Sequence, residues 1–115
     1  YDTGCSKCKA MSILLPHVME DWHQPDAADG QITASVFAVY TGLDKKKWAE
    51  FRKSFSIANP EVEVVHLWDP KVRSDYQMNY GVYVTPRLFA VSDTGMIIGR
   101  RLEVESLRQI LKLLL

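Results

Sequence analysis

Two cysteines three residues apart, standing at the head of a helical repeat, constrain this chain more than any other feature. Thr3-Gly4-Cys5-Ser6-Lys7-Cys8-Lys9 is followed by apolar residues at Met11, Leu14, Leu15, Val18, Met19 and Trp22, the i, i+3, i+4, i+7 spacing of one helix face. The CxxC therefore opens an amphipathic helix. At a helix N-terminus the first backbone N–H groups lack intrahelical partners and the macrodipole presents partial positive charge, which favours a thiolate over a thiol. Cys5 is expected to ionise more readily than a free cysteine, with Lys7 and Lys9 adding positive charge nearby. The first cysteine sits at the rim, where a partner disulfide reaches it, and the second lies one turn in. Cys5 is then the nucleophile and Cys8 the resolving thiol. The same spacing also serves structural zinc sites, and two such cysteines can be inert buried hydrophobes.

At 115 residues and 47% hydrophobic content, residues 1–115 suffice for a single domain with its own core. Lys plus Arg and Asp plus Glu both number 14, so nothing argues for a nucleic-acid partner. Asp44-Lys45-Lys46-Lys47 reads as the solvated first turn of a helix rather than a phosphate-binding patch. Two cysteines cannot staple a disulfide-rich fold, so they point to catalysis. No stretch approaches the roughly 20 apolar residues of a membrane span, and no basic segment precedes an apolar one in the manner of a signal peptide.

The first helix is expected from Ser6 to Trp22 or His23, kinked at Pro16, with a loop over residues 24–30. Residues 32–40 carry no charge and are rich in β-branched and aromatic types, as in a strand buried on both faces. Asp44 reads as the N-cap of a helix carrying Trp48, Phe51 and Phe55, crossing back over the sheet to about Ser56. Asn59-Pro60 breaks the chain before a short extended segment over residues 61–68. Asp69-Pro70 suggests an N-cap and first helical position, with Val72, Tyr76 and Tyr80 on one face and Gly81 at the end. Residues 87–91 and 96–100 flank Ser92-Asp93-Thr94-Gly95 as an antiparallel hairpin. Val104, Leu107, Ile110, Leu111 and Leu114 form a last amphipathic helix.

With these pieces the chain resembles the thioredoxin superfamily, and within it the TlpA and ResA type of thioredoxin-like reductase. The resemblance rests on Cys5-Ser6-Lys7-Cys8, on Tyr80-Gly81-Val82 followed by Val84-Thr85-Pro86, and on Phe89-Ala90-Val91-Ser92-Asp93-Thr94-Gly95, and it covers nearly the whole chain. It implies an α/β, thioredoxin-like fold with a central mixed sheet flanked by helices. In that fold the strand feeding the CxxC helix is central, and here only Tyr1-Asp2-Thr3 can supply its end, so the natural protein is expected to extend upstream. It also implies a cis Thr85–Pro86 bond, a loop packed on the sulfurs, and a substrate strand docked along the backbone of Val84, Thr85 and Pro86 by β-augmentation. The implied activity is thiol–disulfide exchange with protein thiols and disulfides, without a cofactor. The implied setting is extracytoplasmic, such as a bacterial periplasm, with an upstream electron donor. Gly4 replaces the aromatic residue usual before the first cysteine, and Ser6-Lys7 replaces Gly-Pro. Ser6 can hydrogen-bond a sulfur and Lys7 can stabilise its anion, which favours the reduced form. The buried acid that assists resolution in the family has no counterpart in these residues.

The rivals are weighed on the same residues. His17 and His23 extend the pair to C-x2-C-x8-H-x5-H, but a zinc finger wants about twelve residues in the first gap. Six residues along a continuous helix also turn the two imidazoles about 240° apart. His66 reads as a strand-edge residue rather than a base. A peroxidase cysteine of the peroxiredoxin type takes Thr three residues upstream, whereas Thr3 is two residues before Cys5. A thioredoxin-like interaction module with accessory cysteines is the alternative from a different class.

Overall fold

The β-branched, uncharged run pairs with the second apolar segment in parallel. In the computed structural model, which describes residues 1–114 and side chains through Leu113, β1 (Ala34–Tyr40) lies beside β2 (Val62–Trp68), in register from Ala34 opposite Val62 to Tyr40 opposite Trp68. Parallel neighbours need a crossover, and α2 (Lys45–Ser54) supplies it. Its start is fixed chemically: the Asp44 carboxylate accepts the backbone N–H of Lys46 at 3.0 Å and of Lys47 at 3.2 Å, satisfying two orphan donors of the first turn. Phe51 and Phe55 stack at 5.2 Å and meet the His66 ring edge-on, so α2 closes over the middle of β2.

The core gathers Leu15, Val18 and Met19 from α1 (Ser6–Glu20), Phe55, Val62, Ala90, and Leu107 from α4 (Val104–Leu114). Val36 and Val64 add to it from one face of the β1–β2 pair. On the other face Phe37 is 62% exposed and Leu67 43%, so β1 is covered on one side only, not on both as its composition suggests. The side chain of Leu114, expected on the apolar face of α4, lies outside the described residues.

Hairpin formation follows the turn chemistry. Gly95 takes φ +84°, its N–H reaches the Ser92 carbonyl at 3.0 Å, and β3 (Ala90–Val91) pairs antiparallel with β4 (Ile97–Gly99). These form a second two-stranded sheet, separate from β1–β2, in place of the single central mixed sheet that was expected. The reason is visible in the bonding of the preceding segment. The Leu88 carbonyl accepts the N–H of Leu102, from the segment entering α4, so residues 87–89 enter no ladder. Among the described residues the architecture is therefore mixed α/β, with two small sheets and four helices.

Two other expectations are corrected. No helix begins at Pro70, because the Asp69 carboxylate turns inward on the following loop. It accepts the N–H of Arg73 at 3.0 Å, the N–H of Ser74 at 2.9 Å and the Ser74 hydroxyl at 2.6 Å. This is the local side-chain competition that Asp offers any helix. Val72 and Asp75 take φ of 51° and 53°, and only α3 (Tyr76–Asn79) is helical, closed by Gly81 at φ +66°. Val72 is 51% exposed and Tyr80 45%, so no apolar face forms there. The first helix ends at Glu20, short of Trp22. The Asn59 side-chain amide donates to the carbonyls of Met19 at 2.8 Å and Trp22 at 2.7 Å, and so supplies donors that further helical turns would have supplied. α1 is assigned as one helix through Pro16.

The turn after β1 is held from several sides. Tyr1 accepts the Thr41 N–H and hydroxyl, both at 2.8 Å, Trp68 Nε1 donates to the Gly42 carbonyl at 2.8 Å, and the Tyr40 phenol oxygen accepts the Asp44 N–H at 3.3 Å. A Cβ on Gly42 would overlap the phenol of Tyr40, itself 2% exposed. Gly42→Ala is expected to destabilise the fold by about 1–3 kcal/mol, read as a lower denaturant midpoint at unchanged slope. His66 generates a second expectation. Burial and then the nearby Arg52 charge hold its imidazole below the ordinary value of 6.5, and its Nδ1 is buried without a partner between Phe51 and Phe55. Below pH 6.5 the unfolded chain then binds the proton more readily than the folded one, so this group lowers stability as pH falls from 6.5 toward its folded pKa. Equilibrium unfolding of wild type and His66→Gln between pH 7.5 and 5 checks it: the variant loses less stability over that range.

Candidate functional site

Cys5 is the N-cap of α1. Its backbone is extended, at φ −101° and ψ 126°, and its Sγ accepts the Cys8 N–H at 3.2 Å, in the position that a Ser or Asp oxygen takes in an ordinary cap. Ser, Thr, Asp and Asn are absent from that position, so the sulfur is the group that satisfies the orphan donor. Cys8, one turn in, is 5% exposed and receives the Asp2 N–H on its sulfur at 3.4 Å. The Asp2 carboxylate in turn accepts the Gly4 N–H at 3.3 Å, which folds the segment before the helix into a turn. Both thiols are free.

A second segment reaches the same place from 80 residues away. The Cys5 thiol lies 3.7 Å from the Thr85 carbonyl, within the reach of a sulfur donor, and the Thr85–Pro86 bond is cis. Pro86 and Thr85 are half-buried, while Val84 is 58% and Tyr83 78% exposed. Cys5, Cys8, Thr85 and Pro86 are thus gathered in one place, with Val84 at its solvent edge. Gly4 is exposed, with nothing within 4 Å of an added Cβ. Ser6 and Lys7 are exposed on the first turn of α1, and Lys7 acts on Cys5 through its backbone N–H.

The environments drive the two thiols apart. The Cys8 thiol and then the Cys8 backbone N–H hydrogen-bond the Cys5 sulfur, joined by the Lys7 N–H and the Thr85 side chain, and together they pull the Cys5 pKa below the ordinary 9.0. Burial, and then the hydrogen bond given to Cys5, push Cys8 above that value. Cys5, half-buried, therefore gives up its proton more readily than an ordinary thiol, and the buried Cys8 holds its proton more firmly.

The histidines are occupied elsewhere. His17 lies 3.7 Å from Glu20, and His23 Nδ1 lies 2.6 Å from the Glu61 carboxylate on the far side of the α1 C-terminus. Among the described residues, no three His, Cys, Asp or Glu side chains converge in a metal-holding arrangement. Likewise no described helix is long and apolar enough to cross a membrane.

Sequence reasoning did not find Asp2. It acts through a main-chain N–H, which every residue but proline carries, so no side-chain pattern signals it. No family model, curated protein or solved structure matches the chain.

Alkylation reads the thiol asymmetry directly. Iodoacetamide is expected to modify Cys5 well before Cys8, with a pH midpoint below the ordinary cysteine value of 9.0. In Cys8→Ala, which deletes the largest contribution holding Cys5 down, that midpoint moves up. An unshifted midpoint in the variant contradicts the hydrogen-bond account.

Proposed function

We propose that the chain is a thiol–disulfide oxidoreductase of thioredoxin-like fold. The observation that carries the reading is the pairing of a solvent-reaching, easily ionised Cys5 at a helix N-cap with a buried, proton-retaining Cys8 one turn behind it. A structural pair needs no such division. The approach of the Thr85 carbonyl to Cys5 supports the same reading, because it sets main chain that belongs to no strand beside the sulfur.

The reaction follows from the two environments. The Cys5 thiolate attacks one sulfur of a protein disulfide; that S–S bond breaks, a Cys5–substrate disulfide forms, and the leaving thiolate takes up a proton. Cys8 then gives up its proton and attacks the Cys5 sulfur, releasing the second substrate thiol and leaving an oxidised Cys5–Cys8 pair. Two electrons have passed from the dithiol to the substrate. Holding Cys8 protonated during the first step keeps a hydrogen bond on the attacking sulfur and prevents premature closure. Val84 and Thr85 would offer their backbone to the substrate strand next to the mixed disulfide. A thiol donor regenerates the pair, and an extracytoplasmic location fits a chemistry whose substrates are disulfides.

Titration of the Cys5–Cys8 pair in a glutathione or dithiothreitol series tests the proposal. A reversible two-electron transition is expected between about −120 and −270 mV, the span of exchange catalysts. A pair that stays oxidised below about −300 mV is a structural disulfide and overturns it. An interaction module would instead show Cys5→Ser retaining every function of the wild type.

A further inference from the structure

Beside the reactive cysteine lies an open hollow of about 720 Å³, bordered by Asp2 and Gly4 on one side and by residues 42–47 on the other. Its far wall presents Leu43, 80% exposed, and the consecutive exposed lysines Lys45, Lys46 and Lys47. None of these lysines is in an ion pair among the described residues, and neither are Lys7 and Lys9, exposed on the adjoining first turn of α1. The two carboxylates of the hollow are already engaged by main chain. Asp44 holds the N–H groups of Lys46 and Lys47, and Asp2 holds that of Gly4.

The wall is also tied to the fold beneath it. Thr41 is bonded to Tyr1, the Gly42 carbonyl to Trp68, the Asp44 N–H to the buried Tyr40 phenol, and Gly42 packs so closely on Tyr40 that no side chain fits. A large aliphatic residue held out in water on a loop this well tied is not there for the core. An apolar anchor followed by three unpaired cations on a well-tied loop is what a docking polypeptide with acidic side chains complements, since little ordering entropy remains to be lost there.

We infer that residues 43–47 select the substrate of the reaction proposed above, favouring disulfides whose cysteine is flanked by acidic residues and one apolar residue. The inference rests on that reaction. The substrate segment lies across Gly4, its disulfide at Cys5, its carboxylates toward Lys45, Lys46 and Lys47, and its apolar residue on Leu43. Attraction of this kind acts mainly on the rate of encounter and fades as salt screens it, the Debye length shrinking from about 30 Å at 0.01 M to about 8 Å at 0.15 M.

The test uses the reduced full chain and three peptides that share one intramolecular disulfide and one leucine and differ only in flanking residues: Glu, Gln or Lys. The small neutral 2-hydroxyethyl disulfide serves as a fourth substrate. Single-turnover thiol release at low salt is expected to run on the order of tenfold faster for the Glu peptide than for the Lys peptide, with the ratio shrinking at 0.15 M salt. In the Lys45→Gln/Lys46→Gln/Lys47→Gln variant the ratio falls toward one, and in the triple Lys→Glu variant it inverts. Loss of folded protein scales every rate alike and leaves a ratio untouched. A wild-type ratio near one, or the same ratio in the variants, overturns the inference while leaving the oxidoreductase in place. Failure to reduce even 2-hydroxyethyl disulfide overturns the oxidoreductase and the inference with it.

Discussion

The Cys8 N–H bond to the Cys5 sulfur is the contact on which the site depends. It closes the first turn of α1 where a hydroxyl or carboxylate closes most helices, and the same bond stabilises negative charge on the sulfur. Helix start and thiol chemistry are therefore one interaction. The cap keeps Cys5 at the solvent rim, the helical turn carries Cys8 inward, and hydrogen bonds on the Cys5 sulfur together with burial of Cys8 separate their affinities for a proton. Thr85 completes the arrangement from the far end of the chain, closing over the sulfurs where α1 alone would leave them open.

Elements whose signals are local were legible in the sequence. The start of α1 after Cys5, the Asp44 cap, the strand composition of β1, the Gly95 turn and the apolar stripe of α4 each follow from a few neighbouring residues, whereas residues 61–68 read only as a short extended segment and their parallel pairing with β1 is seen in the structure. What was not legible depends on partners distant in sequence. Asp69 was read as a helix cap because Pro70 follows it, but its carboxylate found Arg73 and Ser74 first. The apolar run over residues 87–91 has strand composition, yet the backbone of Leu88 is taken by Leu102, a bond no local pattern announces. β1 has the composition of a strand buried on both faces while one face stands open at Phe37. In the site, Cys5 and Cys8 declare themselves by spacing, and Thr85 and Pro86 came from resemblance. The main-chain contribution of Asp2 left no trace in residue type.

Packing on β1 and β2 is one-sided, and this bears on the loops at their ends. α1, α2 and α4 all contribute to or flank a single core on one face, so the turn after β1 takes its order from hydrogen bonds and aromatic contacts. Tyr1, Tyr40, Trp48 and Trp68 form a chain of ring contacts at 5.2–5.9 Å that runs along the C-terminal ends of the parallel strands. In open parallel sheets, that end is where ligands meet the fold. Here it is stiffened by aromatic rings before any ligand arrives.

Asn59, read from the sequence only as part of a chain break, has a consequence for the dithiol at the opposite end of α1. One side chain receives the Glu61 N–H on its oxygen and gives its amide hydrogens to the carbonyls of Met19 and Trp22, riveting the tail of the helix to the entrance of β2. The helix spans 15 residues, about 22 Å, with its head against Thr85 and its tail on Asn59. It is a beam clamped at both ends. Any change in the bonding of the sulfurs at its head therefore falls to the first turn, because the shaft has no free end about which to swing.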